Sequence, residues 1–239
     1  MRKKAVVLLS GGLDSATTLY FAKAKGFQCH CLIFDYGQRH KKEIASAKKI
    51  AQRAVCSWQV IKISLPWKGS SLLDKKLEIP GLDKTVSQSR NSTNSINSSN
   101  SIPSTYVPAR NIIFLSFALS YAEGIRARSI FIGANAVDYS GYPDCRPEFY
   151  RAFIRAANSG TKAGVEGQGF NIFTPLIRKT KAGIIRLGTR LKVPYGLTWS
   201  CYQGAKKPCG KCDSCLFRAK GFREARAADP LIGKLEVGS

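Results

Sequence analysis

The run Ser10-Gly11-Gly12-Leu13-Asp14-Ser15 constrains this chain more than any other segment. It follows the apolar residues 5–9 and precedes residues 16–22, whose pattern is helical. A strand, a glycine turn and a helix N-terminus in succession bring free backbone N–H groups to one point, where an anion binds. The run lacks the Lys that stands before the hydroxyl residue in a Walker A loop and reaches the β/γ-phosphates. It therefore reads as a loop that holds pyrophosphate as a leaving group, so that a substrate oxygen is adenylated and not phosphorylated. On the glycines alone, an ordinary tight strand–helix turn reads equally well.

The rest of the chain repeats the strand–helix alternation. The pattern predicts strands at 4–9, 28–34, 58–63, 129–133 and 171–173. Helices are expected up to residue 24 and over 41–54, 112–123, 147–157 and from 181 onward. Such alternation implies an α/β fold: a Rossmann-like parallel sheet with helices on both faces. We expect an α/β domain over residues 1–195 and a small C-terminal segment over 196–239. Residues 86–104 break the pattern with a polar Ser/Asn run that buries too little apolar surface to offset its ordering entropy, so a flexible insertion is expected there.

Of the 239 residues 44% are hydrophobic, and no apolar run approaches the ~18 residues of a membrane span. The basic start Met1-Arg2-Lys3-Lys4 leads into only five apolar residues, short of the ~7–15 of a signal peptide. A cytoplasmic protein is the expectation. The net charge of +23 favours polyanion partners such as RNA, but the Lys and Arg are spread along the chain with no dense basic block.

Eight cysteines divide into two sets. Cys29, Cys31, Cys56 and Cys145 are scattered and read as buried thiols. Cys201, Cys209, Cys212 and Cys215 lie close together, and four thiolates suit tetrahedral Zn²⁺ with no open position, the structural kind of site. An iron–sulfur cluster and a disulfide pair are the competing readings.

Three further clusters carry chemistry. Asp35 ends the second expected strand, where doubly wound sheets meet ribose or base; a capped strand end reads equally well, and His40 is a candidate base, although a lone His at a helix start is more often a surface or capping residue. Arg110 is placed to neutralise pyrophosphate charge, while Asn111 reads as a helix N-cap. The loop 135–145 follows the fourth strand with the carboxylates and aromatics that suit a flat heterocycle.

The S-G-G-L-D-S string resembles the loop of N-type ATP pyrophosphatases. Together with residues 34–40, 106–111, 133–149 and the terminal Thr198-Trp199-Ser200-Cys201-Tyr202 and Cys209-Gly210-Lys211-Cys212 motifs, the chain resembles the 7-cyano-7-deazaguanine synthase family of queuosine precursor biosynthesis. The resemblance implies ATP-dependent conversion of 7-carboxy-7-deazaguanine and ammonia to the nitrile, through adenylated acid and amide, with ATP accompanied by Mg²⁺ and with structural zinc. It implies that Leu9, Ser10, Gly11, Gly12, Leu13, Asp14, Ser15 and Asp35 hold ATP. Arg110, Asp138 and Lys181 are the implied catalytic residues, and Asp138, Tyr142 and Asp144 the implied substrate contacts. It further implies a homodimer with no need of membrane or nucleic acid. The family pattern Lys-Ala-Glu-Ile is replaced here by Lys181-Ala182-Gly183-Ile184, which removes an acid. A tRNA-modifying ATP pyrophosphatase is the alternative that the charge favours. A non-catalytic module binding ATP or RNA is a third.

Overall fold

Each central strand carries apolar residues on both faces, which commits it to the middle of a layered fold. The computed structural model describes residues 2–38, 41–65, 70–73, 102, 104–135 and 142–232. Five strands form one sheet in the order β3-β2-β1-β4-β5: β1 (Lys4–Leu8), β2 (Gln28–Asp35), β3 (Ser57–Lys62), β4 (Ser129–Phe131) and β5 (Asn171–Phe173). Every pairing is parallel, with Val6 opposite His30 on one side and Ile130 on the other. The expected architecture is the observed one.

Alternate residues of β1 feed two cores. Ala5 and Val7 join Cys29, Cys31 and Ile33 under α1 (Leu13–Ala24) and α2 (Lys42–Arg53). Val6 and Leu8 join Leu32 and Phe34 under α3 (Arg110–Gly124) and α4 (Pro147–Ser159). The helix expected over 41–54 buries Ile44, Ala47, Ile50 and Ala51, the face its spacing predicted. Cys56 is buried with Cys29 and Cys31, whereas Cys145 is only half-buried.

After the four-residue helix α5 (Lys162–Val165) and strand β5, helix α6 (Lys181–Arg190) returns to the α1 side. Thr180 caps it through Gly183 N–H, 3.2 Å away. Helix α7 (Asp213–Ala225) packs on α6 and had no counterpart in the sequence reading. Its approach is close: a Cβ at Gly221 would stand 2.4 Å from Lys181 Cγ. The expectation for Asn111 is corrected. Helix α3 starts at Arg110, its N-cap is Ala109 in the left-handed region (φ 55°), and no side chain of that residue caps it. Asp144 does so from the 3₁₀ turn Pro143–Cys145, its Oδ2 accepting the Asn111 N–H at 3.2 Å. Residues 86–101, which hold most of the polar run, lie outside the described residues, as do His40 and Asp138.

Candidate active site

Strand order reverses between β1 and β4, because β1 leads outward to β2 and β3 while β4 leads to β5. At such a switch point a crevice opens beyond the carboxyl ends of the strands. Here a cavity of about 300 Å³ lies there, lined by Ser10, Gly12, Asp14 and Ser15 of the first loop and by Gly133, Ala134 and Asn135 after β4.

The loop is built by its glycines. Gly11 has φ +90°, and a Cβ there would meet the Glu43 carbonyl oxygen at 2.2 Å. Gly133 packs against the loop from β4, where a Cβ would stand 3.0 Å from Ser15 N. The first helical bond of α1 runs from Ala16 N–H to Gly12 C=O at 3.1 Å, and no side chain caps the helix. The N–H groups of the first turn are thus left for a ligand, and the helix dipole favours an anion there. Ser10 Oγ bonds Ser15 Oγ at 3.0 Å and accepts the Gly12 N–H at 3.3 Å, which sets the turn.

Two cations face this loop. Lys181, 8% exposed, reaches back from α6 to both oxygens of Asp14 at 2.9 and 2.8 Å. Arg110 donates to Tyr36 Oη at 3.3 Å, and burial raises the Tyr36 phenol above its usual range. Leu9, Leu13 and Tyr142 also line the cavity, and Tyr142 Oη bonds Thr105 Oγ1. Asp35 pairs with Lys41 at 3.5 Å at the end of β2, and Tyr36 and Gln38 just after it line the cavity in its place. Asp144, 6% exposed, turns its carboxylate to Asn111, and burial raises its pKa.

The sequence reading missed Glu43 and Trp199 as cavity residues, while Asn135 opens the loop it had singled out. The signal for Glu43 was faint, since an acid in the first turn of an amphipathic helix reads as a dipole partner. Asn135 donates to the Lys179 carbonyl at 2.8 Å, tying the β4 loop to the start of α6.

The C-terminal cysteines converge. The Sγ atoms of Cys201, Cys209, Cys212 and Cys215 all lie within 4.8 Å of one another. Metal–sulfur bonds of about 2.3 Å put tetrahedral thiolates about 3.8 Å apart, so these four sulfurs fit around one ion. Backbone N–H groups of Cys209 and Cys212 already point at Cys201 Sγ (3.3 Å) and Cys209 Sγ (3.4 Å), the kind of support that stabilises bound thiolates. Gly210 turns the chain with φ 71°. This module abuts the phosphate-type loop: Trp199 N–H donates to Gly11 C=O at 2.9 Å, and the Trp199 Nε1–H donates to Cys201 C=O at 2.9 Å. Lys42 lies over the Trp199 ring, 4.4 Å from its centroid. Arg218, 5% exposed, fastens the segment through Asp229, Thr198 Oγ1 (2.7 Å) and the Tyr195 carbonyl (3.1 Å).

Sheet order, an uncapped glycine loop under α1 and two cations lining the same cavity define an α/β protein with a polar crevice at its switch point, beside a module of four cysteines. Comparison with known proteins gives the family. Residues 4–226 match the family described as "Queuosine biosynthesis protein QueC". The chain is 50% identical to a 7-cyano-7-deazaguanine synthase of Thermoplasma volcanium, covering 97% of this chain and 91% of that protein. It is 53% identical to one of Stutzerimonas stutzeri, covering 95% and 97%. Among solved structures, an NMN synthetase from Francisella tularensis matches at 15% identity with a TM-score of 0.47, covering 95% of this chain and 88% of that one. The chain belongs to the QueC family of queuosine biosynthesis proteins.

Proposed function

We propose that this protein is an ATP-dependent carbon–nitrogen ligase that turns 7-carboxy-7-deazaguanine and ammonia into 7-cyano-7-deazaguanine. The observation that carries the reading is the near full-length match, at about half identity, to relatives that bear the synthase name. The cavity supports it chemically. A carboxylate is a poor acceptor until its oxygen becomes part of a leaving group, and the Ser10–Ser15 loop offers N–H groups to the pyrophosphate that adenylation releases. Arg110 and Lys181 face the charge that develops as that bond breaks, Lys181 held in place by Asp14. Leu9, Ser10, Gly11, Gly12, Leu13, Asp14 and Ser15 hold ATP with its Mg²⁺, and Asp35 stands at the strand end beside Tyr36. Tyr142 meets the substrate, Asp138 is its further polar contact, and Asp144 shapes the same wall through Asn111. Adenylation then occurs twice, on the acid oxygen and on the amide oxygen.

Zinc is the ion for the four thiolates, with a structural role: it secures the segment from residue 196 onward, whose Trp199, Ser200, Tyr202, Ser214, Phe217 and Arg218 line the cavity. We place the protein in the cytoplasm; separately, no described helix is long and apolar enough to cross a membrane. It works as a homodimer through α3, whose outward side shows Ile112 at 44% and Phe117 at 41% exposure. No charged residue lies between Arg110 and Glu123, so this face escapes the repulsion that a net charge of +23 imposes elsewhere. The relatives' shared name does not favour the tRNA-modifying alternative. Mass spectrometry after incubation with Mg-ATP, ammonium and 7-carboxy-7-deazaguanine tests the reading. Nitrile with AMP and pyrophosphate is the expected result, and an untouched acid with folded, zinc-loaded protein would reject it.

A further inference from the structure

Glu43 stands in the first turn of α2 and lines the cavity, half-buried. Its backbone carbonyl packs on Gly11, which puts the residue beside the loop. No hydrogen bond to another described residue holds its carboxylate. Among the described residues, Arg110 from α3 and Tyr36 just after β2 are the charged or titratable groups that act on it, and Asp14 and Lys181 pair with each other on the cavity wall. Burial pushes the Glu43 carboxyl up to about 7, against the pull of Arg110.

The proposed reaction needs a proton acceptor. When ammonia attacks the adenylated acid, the new C–N bond forms, the C–O bond to AMP breaks and nitrogen sheds one proton. When the amide oxygen has displaced pyrophosphate from a second ATP, the C–O bond to AMP breaks and nitrogen sheds both remaining protons as the nitrile forms. The described cavity residues narrow the choice. Arg110 stays protonated, Lys181 is paired, and Asp14 is its partner. Burial raises the Tyr36 and Tyr142 phenols and lifts the Cys145 thiol to about 12, so all three hold their protons at neutral pH. Asp144 is turned to the start of α3.

We propose that Glu43 is the base that takes the protons lost by nitrogen in both the amide-forming and the nitrile-forming step, returning them to solvent between the steps. This rests on the reading of ATP-dependent nitrile formation given above. Its role requires the carboxylate, so the nitrogen steps gain rate as pH rises through about 7 and level off above it.

The test compares wild type with Glu43→Gln and Glu43→Asp in two assays. Exchange of pyrophosphate into ATP, driven by 7-carboxy-7-deazaguanine without ammonia, reports adenylation alone. Amide and nitrile formation, followed by mass spectrometry across neutral pH at constant free-base ammonia, reports the nitrogen steps. Glu43→Gln is expected to keep exchange within about twofold while the nitrogen steps fall on the order of 10²-fold and lose their rise near neutral pH. Glu43→Asp is expected to restore part of the rate with a displaced pH limb. Equal losses in both assays would make Glu43 a binding or folding residue and overturn the proposal, as would an unchanged pH profile in Glu43→Gln. If wild type itself shows neither exchange nor product, the functional reading falls, and this inference with it.

Discussion

At the scale of single residues, the loop depends on two features of opposite kind. Gly11 is required by space and by backbone: its φ of +90° is strained for any side chain, and a Cβ would collide with the first turn of α2. Gly11→Ala is expected to weaken ATP binding at least tenfold and to lower the melting temperature, since strain of about 1–3 kcal/mol adds to the clash. Calorimetric titration with ATP and thermal unfolding of the same sample check both effects. Lys181 acts by charge. Lys181→Met leaves Asp14 unpaired beside the site where pyrophosphate forms, and acid-dependent exchange is expected to fall about 10²–10³-fold. An exchange rate near wild type would remove Lys181 from the adenylation machinery. Gly11 was legible in the sequence because a glycine turn announces itself locally, whereas Lys181 was reached only through the family resemblance. Glu43 was not legible, because nothing near it in the chain shows that Arg110 and Tyr36 come to face it.

At the scale of elements, helices α1, α2 and α4 and all five strands stand close to where the pattern places them, as the apolar runs of β1 and β2 and the Ile44, Ala47, Ile50, Ala51 face of α2 require. Helix α7 escaped because its buried side is not an apolar stripe. Cys215 and Phe222 hold one side, and the small Gly221 and the buried Arg218 complete a face that reads as polar in sequence. Packing decides that element: Gly221 admits Lys181, and Gly188 of α6 leaves room for Tyr195, whose Oη a Cβ would meet at 1.7 Å. Helix α3 is apolar almost all round but buries only Leu115, Ala118 and Ala122 fully. If its outer face joins two copies, Phe117→Glu should shift the protein from dimer to monomer in light scattering after gel filtration while leaving acid-dependent exchange measurable. A wild-type chain that is monomeric would dismiss the homodimer.

At the scale of the whole molecule, the thiolate module and the nucleotide-type site are joined through Trp199, which bonds Gly11 at one end and Cys201 at the other. Removing the ion with a chelator is therefore expected to weaken ATP binding by about tenfold or more before the sheet melts, because the wall that orders the loop is released. ATP titrations with and without chelator, with far-ultraviolet circular dichroism to confirm that the sheet persists, read this out; equal affinities would show that the module only caps the fold. By itself, the sequence determined the parallel α/β class, the glycine loop after β1 and the cluster of four cysteines. Each of these is written in local spacing and residue type. Only the tertiary structure decided that Asp144 caps α3, that Asn135 ties β4 to α6, that Trp199 braces Gly11 and that Glu43 faces Arg110. Those relations join residues far apart in the chain, and close packing, which has no signature along the sequence, brings them together.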